Sequence, residues 1–578
     1  MVKKPIGQLI FALGLMILAD ESAAQVRLQA AASIQRAQLR PDSAEISDRA
    51  RDLQARFERW RRRALPKFYT GPAEHCMIVG RFCEWHPRIQ DYVVPEEGKE
   101  IRRARAELLR DLEKASATLP GDDWIVGQRV RYLVESHDTS AIGVARSCRA
   151  AKWWCEALLG LALHVSGNFA AADSAFSTAL ADMPPLNRCY WTNLSPLLDD
   201  DIRGTYRKMS CTERDAINAR MWWVADPLYM TPGNERRTEH FSRVMHTALQ
   251  KDAVNTYGST WGGDLSELIL RFGWAEKWTQ AWPSLYANVD PVVTGHEREP
   301  GYHFFLTQRP PDSLAQIRDS LFDIYQFPPR EQYAPIYTRG FVRLDAQVAR
   351  FRRGDSTRVV AAYDVRTDTI FGRRKFAAAL IAMGDEATTP SRSDAAESPA
   401  KNVLSVSTPW KSQLIGVELL AADSAGAARW RSGFAEIPLD SSRISVSDLL
   451  FVDGGPSLPA DLDEAIPRAH GGTKFRHDAK VGLFWELYGK TPADSALPIS
   501  LTITPIDEGL MRRAFRALRI APKATPLNIR WRENGASGVL SARSVLLDLS
   551  LVPAGKYAVK LEVGGYPTAV ASRIIEVR

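Results

Sequence analysis

Near residue 338 the hydrophobic period of this chain changes from about 3.6 to 2, and that switch divides what it can fold into. Before it, apolar side chains recur at helical spacing. Residues 98–118 carry Ile101, Ala104, Leu108 and Leu112, and Pro120-Gly121 ends the run. After it, Val359–Val365, Phe376–Ile381, Val403–Ser407 and Leu414–Leu420 read as strands, while the polar stretch Asp385 to Lys401 reads as a mobile loop. Ile499, Leu501 and Ile503 alternate with Ser500, Thr502 and Thr504. Tyr557, Val559, Leu561 and Val563 alternate in the same way after the turn Pro553-Ala554-Gly555. One wet and one dry face, repeated with short turns, predicts antiparallel sandwiches. The expected class is therefore α+β and multi-domain: an N-terminal helical repeat-like region, a mixed central domain, and C-terminal β-sandwich-like domains.

The first 24 residues set the compartment. Lys3 and Lys4 precede the apolar run Leu9–Ala19, which is too short to span a bilayer, and Ser22-Ala23-Ala24 supplies small residues for cleavage. This predicts a signal peptide and a protein exported to the periplasm, the cell surface or beyond. No cysteine follows the site to carry a lipid. No later stretch reaches the ~20 apolar residues of a spanning helix. The net charge of +7 is modest for 578 residues, and clusters such as Arg59–Arg63 and Arg350–Arg353 are scattered. They read as solvated helix faces, which argues against a nucleic-acid partner.

All six cysteines lie between Cys76 and Cys211. In an exported chain their even number predicts disulfides, and spacing pairs Cys76 with Cys83, Cys148 with Cys155, and Cys189 with Cys211. Residues seven apart in one helix stand ~10 Å apart along its axis, beyond reach of a bridge, so the two short pairs must straddle turns. A zinc site from His75, Cys76, Cys83 and His86 is the other reading of the first pair.

Residues 153–184 carry the sharpest local pattern: Leu159, Gly160, Leu163, Ala172, Phe176, Ala179 and Pro184 fall on the spacing of a tetratricopeptide repeat. Gly160 and Ala172 are small where two antiparallel helices touch, Gly167-Asn168 turns the chain, and Pro184 stops the second helix.

Six of the sixteen tryptophans fall in 222–282. Trp222 with Asp226-Pro227, then Asn234-Glu235, Glu239 and Arg243, then Trp261 and Asp264, then Leu268–Phe272 ending at Gly273, together resemble the GWxTD-domain family of exported bacterial proteins. Thr260 and Gly263 depart from the naming motif. The resemblance implies an architecture and export, and no reaction. It frames five spans: signal peptide 1–24, helical tetratricopeptide-like region 25–190, GWxTD-like domain 191–330, and β-sandwich-like domains 331–440 and 441–578.

Two readings of the central polar residues follow. Trp261 and Asp264 read as a core wedge and a turn cap, Leu268–Phe272 as a short buried strand, and Glu235, Glu239 and Arg243 as an ion-pair ladder along one helix face. Alternatively, Glu235, Glu239 and Asp264 form a carboxylate cluster for acid–base chemistry. His296, Glu297 and His303 are the candidate metal ligands, without the second shell such a site needs. No His-Glu-x-x-His, Gly-x-Ser-x-Gly, phosphate-binding Gly loop or Cys-x-x-Cys is present. The sequence thus points to a non-catalytic scaffold or binding component of the bacterial cell envelope. No cofactor is expected, and the partner is another envelope protein or polymer. The alternative is an envelope hydrolase acting through the carboxylate cluster.

Overall fold

A computed structural model describes residues 41–68, 77–84, 93–281, 292–306, 309, 311, 313–326, 329–385, 389–436, 444–489, 496–506, 526–534, 540–564 and 568–578. The predicted signal peptide and residues His75, Cys76 and His86 lie outside the described residues, and with them the Cys76–Cys83 pair and its zinc alternative. The chain is α+β and divides into two compact units. One contains the residues up to Arg188 together with His240–Glu297. The other contains Cys189–Glu239 and Arg298–Arg578. These units follow spatial contact rather than the five sequence spans, and the stretch 191–330 contributes to both.

The first unit is mainly helical, with helices Pro41–Ala64, Lys99–Thr118, Asp123–Glu135, Ser140–Arg146, Lys152–Val165, Phe169–Asp182 and Gly263–Phe272. Two hairpins join them: β1 (Met77–Val79) with β2 (Phe82–Glu84), and β3 (Lys277–Ala281) with β4 (Val292–His296). Asp122 caps its helix by accepting from the Ile125 amide at 3.0 Å. The hairpin predicted at 153–184 forms as expected, and a Cβ on Gly160 would stand 2.8 Å from the Phe176 ring, so only glycine admits this approach. Cys148 and Cys155 are bonded across the turn that precedes helix Lys152–Val165.

Leu268–Phe272 is the last part of helix Gly263–Phe272, not the expected strand. Leu265, Leu268 and Phe272 recur at helical spacing and bury one face with Val79. The apolar run Leu268-Ile269-Leu270 concealed that period because the other side of the helix is buried too. Gly273 ends the helix at φ +112°, a conformation that disfavours side chains.

The second unit is built on two sandwiches. The first sets β10 (Lys401–Pro409), β7 (Ser356–Asp364) and β6 (Ala346–Arg353) against a five-stranded sheet. That sheet runs β5 (Phe341–Arg343), β12 (Ala427–Phe434), β11 (Gln413–Ala421), β8 (Phe376–Met383) and β9 (Ser391–Ala395). Strand β9 corrects the expectation of a mobile loop over 385–401. Its polar residues suit an edge strand, where alternation needs no dry face. The second sandwich has β13 (Ser445–Val446), β14 (Leu450–Asp453) and β19 (Leu540–Asp548) around β16 (Lys480–Tyr488). Facing these is the order β15 (Lys474–Phe475), β21 (Ala569–Val577), β20 (Gly555–Val563), β17 (Ala496–Pro505) and β18 (Leu527–Asn534). Leu501, Ile503, Val559 and Leu561 fill its core as the alternation predicts. The short strands β5 and β15 pair in parallel, against the otherwise antiparallel pattern.

The sandwiches are fused. Ala349, Phe351, Val360 and Ala362 on the outer face of β6 and β7 pack against Leu450, Val452 and Phe484. Arg353 forks onto Glu486 at 2.7 and 2.8 Å, and Arg350 Nε donates to Asp448 Oδ2 at 2.8 Å. The cluster Arg350–Arg353 is thus partly internal, with Arg350 8% exposed, rather than a wholly solvated face.

Candidate functional site

Asp226, Asn234 and Glu235, singled out in the sequence, lie in one buried network in the second unit. It begins with helix Cys211–Ala225, opened by a Ser210–Glu213 capping box and tied to Cys189 through Cys211. The helix stops at Asp226-Pro227, leaving carbonyls unpaired. Arg431 Nη1 donates to the carbonyls of Val224 and Asp226 at 3.0 and 2.8 Å, and Arg429 Nη1 to those of Asp226 and Pro227 at 2.8 and 3.1 Å. Two guanidinium groups therefore close the negative end of the helix dipole.

The alternation of β12 explains their position. Ala428 and Trp430 face the sandwich core, so Arg429 and Arg431 face the opposite side. Gly433 on that side stands so close to the Leu314 carbonyl that a Cβ would lie 1.6 Å from it. Glu418, from the same face of β11, accepts from Arg431 Nη2 at 2.9 Å and from the Met230 amide at 2.8 Å, with both charged side chains essentially dry. The Arg431 guanidinium also lies 3.6 Å from the Tyr229 ring centre. Arg429 sits over Phe304 and Phe322, and burial together with Arg431 pushes its pKa down to about 9.

Glu235 opens helix Glu235–Lys251 and is fully buried. It accepts from the Tyr337 hydroxyl, and from Thr231 Oγ1 at 3.2 Å. Burial raises its carboxyl to about 7 and holds Asp226 well above the carboxylate range, the latter further opposed by Glu235. Asn234 caps the helix through the Arg237 amide at 2.8 Å and ties back to the Trp222 carbonyl at 2.6 Å. Trp222 meets Phe305 edge-on, with rings 5.2 Å apart. Arg236 pairs with Glu331 at 2.6 Å, and His303 Nδ1 lies 3.0 Å from the same carboxylate. Glu239 is also buried, at 7% exposure.

In the first unit, Asp264 is indeed a receiver of turn hydrogen bonds, but for another segment. Arg81, in the β1–β2 turn, donates to it through Nε at 2.6 Å, Nη2 at 2.9 Å and its amide at 3.2 Å. These bonds hold the carboxyl at about 2. Gly80 lies at φ +55° against Asp264, and Trp261 packs beside Val79 and Leu265. Arg243 Nη1 donates to the carbonyls of Leu270 and Arg271 at 3.1 and 3.0 Å, closing helix Gly263–Phe272. These contacts of Glu235 and Arg243 serve chain ends and turns.

A second charge network in this unit lies outside the candidate site residues singled out in the sequence. Arg61 contacts Glu58, Glu97 and Glu135 at 3.7, 2.5 and 3.0 Å, and Arg131 joins Glu58 and Glu135 at 3.3 and 3.0 Å. Arg61 is 2% exposed, which corrects the reading of Arg59–Arg63 as a solvated face. The signal was present: Ala50, Gln54, Phe57, Glu58, Arg61 and Leu65 form one buried stripe at helical spacing, with charges placed where apolar residues are expected. A cavity of about 10 Å³ beside it is lined by Arg131, Glu135, His246, Gln250, Trp274 and Trp278 among others, room for about one water.

The candidate catalytic residues are divided between units, with Glu235 and Glu239 in the second and Asp264 in the first. The candidate metal ligands are divided likewise. His296 and Glu297 belong to the first unit, where His296 Nε2 lies 2.8 Å from Thr279 Oγ1 and burial lowers it to about 4; His303 belongs to the second. Among the described residues no group of three or more His, Cys, Asp or Glu is placed to hold a metal ion. No described helix is long and apolar enough to cross a membrane.

No protein-family model matches the chain, and no curated protein matches it. Among solved structures, the receptor tyrosine kinase Torso, described for neurohormone perception, is 10% identical with a TM-score of 0.11, covering 41% of this chain and 74% of that one. The chicken CNTN1 FN1–FN3 domains are 10% identical with a TM-score of 0.15, covering 40% of this chain and 66% of that one. Native alpha-2-macroglobulin from Escherichia coli, from domain MG7 to the C-terminus, is 10% identical with a TM-score of 0.16, covering 84% of this chain and 60% of that one. Likeness at these scores carries no inference for this chain.

Proposed function

We propose that the protein is an exported, non-catalytic scaffold or binding component of the bacterial cell envelope, related to the GWxTD-domain proteins. The observation that carries this reading is the state of Glu235. It is the central carboxylate of the sequence motif, yet it is fully buried and engaged by Tyr337 and Thr231. Asp264 likewise serves Arg81 and the turn around it. Charges so placed organise helix ends and sheet faces. The signal-like residues 1–24 and the disulfides Cys148–Cys155 and Cys189–Cys211 support export to an oxidising space. Fused sandwiches offer rigid surfaces for a partner.

A second reading, an envelope hydrolase, draws on the same Glu235, since a carboxyl held at about 7 suits acid–base work. One experiment separates the two. Purified protein incubated with isolated cell envelopes is expected to co-sediment with them and to release soluble glycan or peptide no faster than buffer. Release that disappears in Glu235→Gln, Glu239→Gln or Asp264→Asn would establish the hydrolase and overturn the scaffold.

A further inference from the structure

The second sandwich ends, among the described residues, on a long, regular strand with an unpaired edge. Among the described residues, β18 is the terminal strand of its sheet, and it pairs with β17 over eight consecutive positions, from Ala496↔Asn534 to Ile503↔Leu527. Natural edge strands are blunted by charge, above all lysine, by inward-pointing charges, proline, bulges or shortness. The sequence Leu527-Asn528-Ile529-Arg530-Trp531-Arg532-Glu533-Asn534 has no lysine, no proline and an unbroken register; its charges are Glu533, paired with Arg543 on the inner row, and the outward Arg530 and Arg532.

Alternation sorts its side chains into two rows. Leu527, Ile529 and Trp531 lie on the inner face, opposite the core residues Ile503, Leu501 and Ile499. Ile529 is nevertheless 39% exposed, so the apolar layer runs one strand further than its cover. On the outer face Asn528, Arg530 and Arg532 are exposed. Arg530 Nε donates to Asn528 Oδ1 at 3.2 Å within the strand, and neither arginine forms an ion pair among the described residues.

We propose that β18 is a strand-addition site for an extended partner polypeptide in which carboxylates alternate with apolar side chains. Main-chain hydrogen bonds would continue the ladder, the apolar row would cover Ile529, and the carboxylates would meet Arg530 and Arg532. A second copy of this chain fits poorly, because antiparallel pairing of two β18 strands opposes arginine to arginine. The proposal rests on the reading of this protein as a binding component and names its partner's chemistry.

The test is fluorescence anisotropy of the full chain with a labelled, end-capped octapeptide of alternating glutamate and valine. Saturable binding that weakens with salt is expected. The double variant Arg530→Glu, Arg532→Glu, whose side chains are exposed and whose circular dichroism should match wild type, is expected to bind at least tenfold more weakly. It should instead take up a lysine–valine octapeptide. Absence of saturable binding, affinity within twofold in the charge-reversed variant, or equal binding of an all-glutamate octapeptide would each overturn strand addition. A peptide failure with intact co-sedimentation on envelopes sinks this site alone, whereas enzymatic release of envelope fragments sinks the binding reading itself.

Discussion

Replacing Arg431 with methionine is expected to destabilise the second unit by about 3–5 kcal/mol, the cost of leaving one member of a buried ion pair without its partner. Glu418 Oε1 and the Val224 carbonyl lose their Arg431 donor, while the Asp226 carbonyl keeps the bond from Arg429 Nη1. Methionine fills much of the space beside Tyr229, so most of the loss is electrostatic rather than cavity formation. The double variant Glu418→Gln, Arg431→Met removes the stranded charge while a glutamine oxygen can still accept from the Met230 amide. It is expected to recover part of the loss and leave the deficit at the Val224 carbonyl. Urea denaturation followed by tryptophan fluorescence measures both. A loss below about 1 kcal/mol in Arg431→Met would show that the pair does not hold helix Cys211–Ala225 to the sheet.

The second unit is also expected to lose stability as pH rises through neutrality. The Glu235 carboxyl is raised from its ordinary 4.5 to about 7 by burial. Between those values the folded chain holds a proton that the unfolded chain releases, so stability is full below about 4.5 and declines as pH climbs through about 7. The amplitude is on the order of a few kcal/mol. Asp226, also raised, and Glu299, pushed to about 7 by burial, act in the same direction. Tyr337, Thr231 and Glu418 act on Glu235 directly, and Asp226, itself beside Arg429 and Arg431, couples to it. Glu235→Gln, which mimics the protonated side chain, is expected to flatten the decline between pH 5 and 8 without abolishing it. Denaturation midpoints across that range check this, and an unchanged slope would contradict it. His296 in the first unit carries the opposite sign, because its imidazole is lowered to about 4 and stability is lost as pH falls from about 6.5 through that value.

The fold was largely legible in the sequence, and the reasons are physical. Period and turn chemistry are local, so Gly160 against Phe176, the breaks at Pro120-Gly121 and Pro184, and the strands around Leu501 and Val559 could be read from residue order. Leu268–Phe272 misled because a helix buried on several sides shows the same apolar run as a buried strand. The site was half legible. Trp222, Asp226, Asn234 and Glu235 stood out as a pattern, but their partners Glu418, Arg429 and Arg431 follow about two hundred residues later in an ordinary alternating strand. Glu58, Arg61 and Arg131 were missed for a related reason. A charge at a core position is indistinguishable from a solvated one until its counter-charge is located in space.

Export into an oxidising compartment underlies everything proposed for this protein, and one measurement addresses it directly. The full chain, expressed in a Gram-negative host, is fractionated, alkylated without reductant, and weighed as an intact protein. The predicted species is periplasmic or extracellular, lacks residues 1–24, and carries no alkyl group on any of its six cysteines. A full-length cytosolic protein alkylated at Cys148, Cys155, Cys189 and Cys211 would contradict the compartment, the pairing and the envelope role together.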